Sequence, residues 1–147
     1  MARSNVVAYI THGSQTSIRL TNDVSLTTSN LNALPNNFFD NVDFVYYGAC
    51  NTGTGGASAN NLVTTTHNKG AGCVLGFNHE VLVDETNIWT VYLMESLAQG
   101  MRINEAIANA DNLYSLRLMK SVDTVASQHR IIVGDNSVAP FWTISNS

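Results

Sequence analysis

Two side chains of this sequence have the types and the setting to work as a nucleophile and its proton carrier. His12 follows the apolar run Val6-Val7-Ala8-Tyr9-Ile10-Thr11, and Cys50 follows Val42-Asp43-Phe44-Val45-Tyr46-Tyr47 through Gly48 and Ala49. A free thiol is mostly protonated near neutral pH, and an adjacent imidazole draws off its proton or holds the thiolate. The chemistry on offer is attack on a carbonyl by Cys50, with His12 as base and later as acid. Gly13 permits close backbone approach and unusual dihedrals, and the amides of Gly13 and Cys50 are placed to receive an oxyanion. Each signal is short by itself, since a strand-terminal His also serves as a polar loop cap and a strand-terminal Cys as a small buried hydrophobe. What joins them is the sheet: an open parallel sheet gathers its chemistry outside the carboxyl ends of its strands.

Other reactive side chains carry a functional and a structural reading each. Asp84 and Glu85, beside Asn87, are candidates for the floor of a pocket for a basic side chain, but better suit a helix N-terminus, where negative charge complements the dipole. His79-Glu80 follows the third apolar run, facing the site as a replacement orienting carboxylate or standing as solvated loop. His67 and His129 form no metal-ligand spacing with another His, Cys or acid, so no metal site is expected. Cys73 lies inside the run Gly72-Cys73-Val74-Leu75-Gly76-Phe77 and reads as buried structure; a mid-strand Cys73 and a strand-tip Cys50 are mismatched for a disulfide. A rival class of function takes Gly53-Thr54-Gly55-Gly56, between a strand and a helix and with Glu80 near the end of the next strand, as a phosphate loop. That loop lacks both the full dinucleotide glycine order and a Lys-Ser/Thr pair.

The elements that must position these residues follow from periodicity. Apolar strand-like runs alternate with helix-periodic segments, which predicts an α/β fold: a mostly parallel sheet with helices on both faces. Residues 16–20 and 24–27 flank Thr21-Asn22-Asp23 as a small hairpin overhanging the His side. A short helix or turn over 29–39, interrupted at Pro35, delivers the chain to the strand ending at Cys50. A helix is expected from near Ser58 to Lys69-Gly70, then the third strand, then a helix from about Asp84 with Ile88, Trp89, Tyr92, Leu93 and Leu97 at helical spacing until Gly100. A second amphipathic helix carries Ile103, Ala106, Ile107, Ala110 and Leu113, and the chain returns as a strand over 130–133 and a last one over 141–144.

Bulk properties narrow the function classes. The 147 residues fit one domain, 1–147, with 44% hydrophobic residues and a mean hydropathy near zero. A net charge of −4 with seven Lys plus Arg and no basic cluster disfavours a nucleic-acid backbone or an anionic membrane surface as partner. No apolar run approaches the roughly 20 residues that span a bilayer. Abundant Asn, Thr and Ser with Lys only at 69 and 120 suit an extracytoplasmic or secreted setting.

In the order of its elements the chain resembles the caspase-like (clan CD) cysteine peptidases, in their gingipain-like and CHAT-domain branches. The pieces that carry the resemblance are the apolar strand into His12-Gly13, then Ser17-Ile18-Arg19-Leu20, Tyr47-Gly48-Ala49-Cys50-Asn51-Thr52-Gly53, Asn61-Leu62-Val63 and Lys69-Gly70-Ala71-Gly72-Cys73-Val74-Leu75-Gly76-Phe77. Leu97-Ala98-Gln99-Gly100 with Ile103-Asn104-Glu105-Ala106, and Val133-Gly134-Asp135, continue the order, so that nearly the whole chain is covered. The resemblance implies a three-layer sandwich and peptide hydrolysis through a Cys50 thioester, with His12 as proton carrier and Gly13 and Cys50 amides as oxyanion hole. It also implies Trp89 as a wall of the pocket for the residue before the scissile bond, against a core role from its helical stripe. Cleavage after basic residues, with Asp84 and Glu85 in the pocket, follows from the gingipain-like branch. No cofactor is required, and calcium is an open requirement in such a family. Family members place at least a strand and a helix before the His strand, whereas eleven residues precede His12 here. The expectation is therefore a piece or subunit of a larger or processed protein, a homodimer or completing partner chain on an open sheet edge, or a fold that has dispensed with the family's edge. An inert scaffold of the same fold that binds partners without turnover is the alternative, because a dyad without its supporting shell is misplaced by the ~1 Å that matters.

Overall fold

The computed structural model describes residues 6–140; residues 1–5 and 141–147, among them the strand expected over 141–144, lie outside the description. The chain opens with β1 (Val6–Ile10), then a hairpin of β2 (Ser17–Arg19) and β3 (Ser25–Thr27), which pair antiparallel around the expected turn. Helix α1 (Thr28–Asn32) is short and closed by a capping box, in which the Thr27 hydroxyl accepts from the Asn30 amide. Strand β4 (Phe44–Gly48) and helix α2 (Leu62–Asn68) come next. They are followed by β5 (Cys73–Phe77), the long helices α3 (Val83–Ala98) and α4 (Ile103–Leu118), and β6 (Arg130–Gly134).

One four-stranded sheet runs in the order β1-β4-β5-β6. The first three strands are parallel, and β6 returns antiparallel to β5 from Cys73↔Gly134 to Phe77↔Arg130. Side chains of the central strands alternate between two cores, as the pleat requires. Phe44, Tyr46, Cys73, Leu75 and Phe77 face Trp89, Leu93 and Leu97 of α3 and Ile103, Ala106 and Ala110 of α4. Val45, Tyr47 and Val74 face Leu62 and Val63 of α2 together with Ile18 and Leu31. Strands β4 and β5 are buried throughout, which explains their near-continuous apolar sequence. Strand β1 lies at the sheet edge among the described residues, and Ala8 and Ile10 are exposed.

Helix α2 starts later than its composition suggests, at Leu62 instead of near Ser58. The Asn61 side chain accepts from the Thr64 amide as the cap, while its own amide donates to the carbonyls of Thr54 and Gly56 and folds the intervening loop onto the helix start. At the other end Gly70 takes φ 110°, the left-handed conformation expected of it.

Candidate active site

His12 and Cys50 stand at equal distance beyond the last register pair of two adjacent parallel strands. Ile10 of β1 pairs with Gly48 of β4, and each reactive residue lies two positions further on. Neighbouring strands are about 4.8 Å apart, so the two residues leave the sheet side by side. Both line one cleft of about 350 Å³, with Ile10, Val81 and Val83 as apolar wall and Thr86 and Asn87 from the start of α3.

Gly13 closes the base of this arrangement. A Cβ there would lie 2.8 Å from Cβ of Ala49 and 3.2 Å from the Cys50 carbonyl oxygen, so the backbones after the two strands touch at a point where only a hydrogen fits. Its φ is not positive, and close approach is the reason for glycine here. The hairpin fixes the His side from above. The Arg19 amide donates to the His12 carbonyl at 3.0 Å, Ser14 N donates to Ser17 O at 2.8 Å, and the Thr11 hydroxyl donates to the Arg19 carbonyl at 2.7 Å. The bridge between Gly13 and Ile18 uses those flanking amides and leaves the Gly13 N–H out of it. Beyond Cys50 the chain turns sharply through Asn51 at φ 60°, whose amide donates to the His79 carbonyl.

The thiol of Cys50 is half-buried, and its hydrogen bonds go to Val81: Sγ accepts from the Val81 amide at 3.3 Å and donates to the Val81 carbonyl at 3.6 Å. The next amide, Leu82 N–H, donates to the Thr124 hydroxyl at 3.0 Å, and that hydroxyl donates in turn to Glu85. The Glu85 carboxylate also accepts from the backbone amides of Asp123 and Thr124. The loop over the thiol is thereby tied to α3 and to the segment before β6. Cys73 is buried in the core, where desolvation, helped by Asp135, pushes its thiol up to about 12; both cysteines are free, as expected.

The remaining candidates are not brought to the cleft. Trp89 is fully buried between Tyr46 and Phe77, its Nε1 donating to Asp111 at 2.9 Å and its ring covered by the Arg130 guanidinium, so it is a core residue and not a pocket wall. Asp84 and Glu85 occupy the first turn of α3 and line a different groove with Tyr114 and Lys120; Glu85 is consumed by its three bonds. His79 stacks on His129 at 4.3 Å, and neither His79 nor Glu80 lines the cleft. In the glycine loop the amides of Gly53, Thr54 and Gly56 are spent on the carbonyls of Phe77, Asn51 and Gly53, which leaves no cradle for a phosphate. Among the described residues no cluster of three His, Cys, Asp or Glu could hold a metal ion. No described helix is long and apolar enough to cross a membrane. The residue that sequence reasoning missed is Val81, whose contribution is a backbone amide and carries no side-chain signature.

No family model matches the sequence, and no curated protein matches it. Among solved structures the fold is similar to that of the Arg specific cysteine proteinase gingipain R, with a TM-score of 0.64 and 16% sequence identity, over 92% of this chain and 33% of that one. The chain thus spans about a third of the length of that structure. At this identity the likeness shows the fold: a caspase-like α/β sandwich with a mostly parallel sheet flanked by helices.

Proposed function

We propose that this chain is a cysteine peptidase domain of the gingipain-like kind in which Cys50 is the nucleophile and His12 the proton carrier. The observation that carries the reading is the register: Ile10↔Gly48 sets both side chains two residues beyond one pair of parallel strand ends, on one cleft. Sγ of Cys50 attacks the scissile carbonyl carbon while His12 takes the thiol proton, and the oxyanion lies against the amides of Gly13 and Cys50. The C–N bond breaks as His12 passes that proton to the leaving amine, and a thioester remains. Water then attacks the thioester, His12 accepting one of its protons; the C–S bond breaks, His12 returns that proton to the departing thiolate, and the peptide leaves as a carboxylic acid that gives its remaining proton to solvent. Side chains, backbone amides and water suffice for every step, and the partner is a protein or peptide substrate.

The thiol's attachment to Val81 instead of His12 favours a second reading, a caspase-like module that binds partners without turnover. Hydrogen bonds between catalytic groups are often loose before substrate binds, which keeps the peptidase reading first. The deciding experiment is intact mass of the chain after a mixture of peptidyl acyloxymethyl ketones. One added label on the wild type, lost in Cys50→Ala and in His12→Ala, is the expected result. Labelling that persists in His12→Ala, or none at all, leaves the binding module.

A further inference from the structure

Resting on the peptidase reading, we infer that the cleft beside Cys50 accepts an uncharged side chain before the scissile bond, aliphatic or amide-bearing, and rejects a basic one. The chain has eleven Asp and Glu residues, and all eleven fall within residues 6–140. None of them lines this cleft. Asp84 and Glu85 open onto the separate groove that holds Lys120. Glu95 lies in the adjoining hollow, which shares Ile10 and Asn87 with the cleft, and is paired with Arg117 at 3.6 Å.

What the cleft does present is Ile10, Val81 and Val83 as apolar surface, with Thr86 and Asn87 as its polar side chains on α3. The Thr86 hydroxyl is already donated to the Leu82 carbonyl at 2.6 Å. The Asn87 carboxamide makes no side-chain hydrogen bond among the described residues and is exposed, free to donate to or accept from an entering amide. A guanidinium or ammonium entering here gives up hydration and meets no carboxylate, which penalises it against an aliphatic or amide side chain of similar length. No described Lys or Arg lines the cleft either, so an entering carboxylate meets no cation other than a protonated His12. Val83 and Asn87 set the selectivity, one on the apolar wall and the other as the free polar group.

The test uses the full chain and four peptidyl acyloxymethyl ketones that differ only in the residue next to the ketone: Leu, Gln, Arg or Asp. Reaction forms a thioether at Sγ of Cys50 and expels the acyloxy group as a carboxylate, so intact mass reads the rate. The Leu and Gln probes are expected to label at least about tenfold faster than the Arg and Asp probes. Asn87→Asp, and independently Val83→Asp, place a carboxylate in the cleft at exposed positions and are expected to raise the Arg-to-Leu rate ratio about tenfold. An Arg probe as fast as Leu on the wild type, or a ratio unmoved in both variants, overturns the specificity while leaving a peptidase. Iodoacetamide modification of Cys50 with no reaction from any peptidyl probe overturns the peptidase reading and the specificity with it.

Discussion

The amide of Val81 donates to Sγ of Cys50 at 3.3 Å, and this bond is held from behind by a relay that begins one residue later. Leu82 N–H is fixed by the Thr124 hydroxyl, and Thr124 by the buried carboxylate of Glu85. A carboxylate in the first turn of α3 thus fixes the segment whose backbone amide meets the sulfur of Cys50 beyond β4.

Thr124→Val removes the hydroxyl while keeping the shape. Two bonds go with it, the one accepted from Leu82 N–H and the one donated to Glu85, and the first, which holds the loop over the thiol, is worth about 1 kcal/mol or about fivefold in rate. Alkylation of Cys50 by iodoacetamide is expected to slow by that factor, and Thr124→Ser, which keeps the hydroxyl, is expected to restore it. A Thr124→Ser rate as slow as that of Thr124→Val shows that Thr124 acts by packing alone.

Gly13→Ala tests the contact between the two strand ends. The added methyl has to displace Ala49 or the Cys50 carbonyl, from which it would be 2.8 Å and 3.2 Å away. Overpacking of this kind costs about 1–3 kcal/mol, and the displacement falls on the nucleophile's own backbone. A lowered thermal midpoint together with lost peptidyl-probe labelling is expected. Unchanged labelling would mean that the two loops move independently.

The fold was legible because its determinants are local. The continuous apolar runs at β4 and β5 mark strands buried on both faces, and the stripes from Ile88 to Leu97 and from Ile103 to Ala110 mark helices packed on one. The placement of His12 and Cys50 beyond adjacent strands was legible because strand ends are. The start of α2 was not, because Asn61 is engaged by Thr54 and Gly56 instead of by helical periodicity. Trp89 and Glu85 each carried two readings in the sequence for a related reason: their partners Asp111, Arg130 and Thr124 are far off in sequence, and a Trp on an apolar helix stripe looks the same whether it faces a core or a cleft.

Alkaline stability follows from three buried acids. Burial pushes the Cys73 thiol up to about 12 from 9.0, and burial also raises the phenols of Tyr46 and Tyr47 above their ordinary range. In the unfolded chain these groups ionise at ordinary values, so above about pH 9 the unfolded state holds fewer protons than the folded one and stability falls as pH rises. The contribution is complete below that value and is lost toward the folded pKa, at about 1.4 kcal/mol per pH unit for each group in its window. The urea midpoint should be flat with respect to these groups below about pH 9 and decline above it, and Cys73→Ala should delay the onset toward about pH 10, where tyrosines begin to ionise. An onset unmoved by that variant would exclude Cys73 as its source.

The setting of Trp89 leads to a prediction that separates stability from activity. Asp111 receives the Trp89 indole N–H at 2.9 Å and both terminal nitrogens of Arg130, which also donates from Nε to the Val125 carbonyl and lies over the indole ring. The Arg130 side chain is only 5% exposed, so removing Asp111 strands a buried cation and leaves the indole N–H without its acceptor. Breaking a fully buried pair from one side costs about 3–5 kcal/mol, and the 32% exposure of Asp111 puts this pair below that range; replacing both partners with apolar groups costs much less. Asp111→Ala should lower the urea midpoint steeply, and adding Arg130→Met should recover part of the loss. Because this network belongs to the core beneath α3 and α4 and not to the cleft, the double variant at a temperature where it is folded should label at Cys50 at a rate close to that of the wild type. A large loss of labelling in the folded double variant would place Trp89 in the site after all.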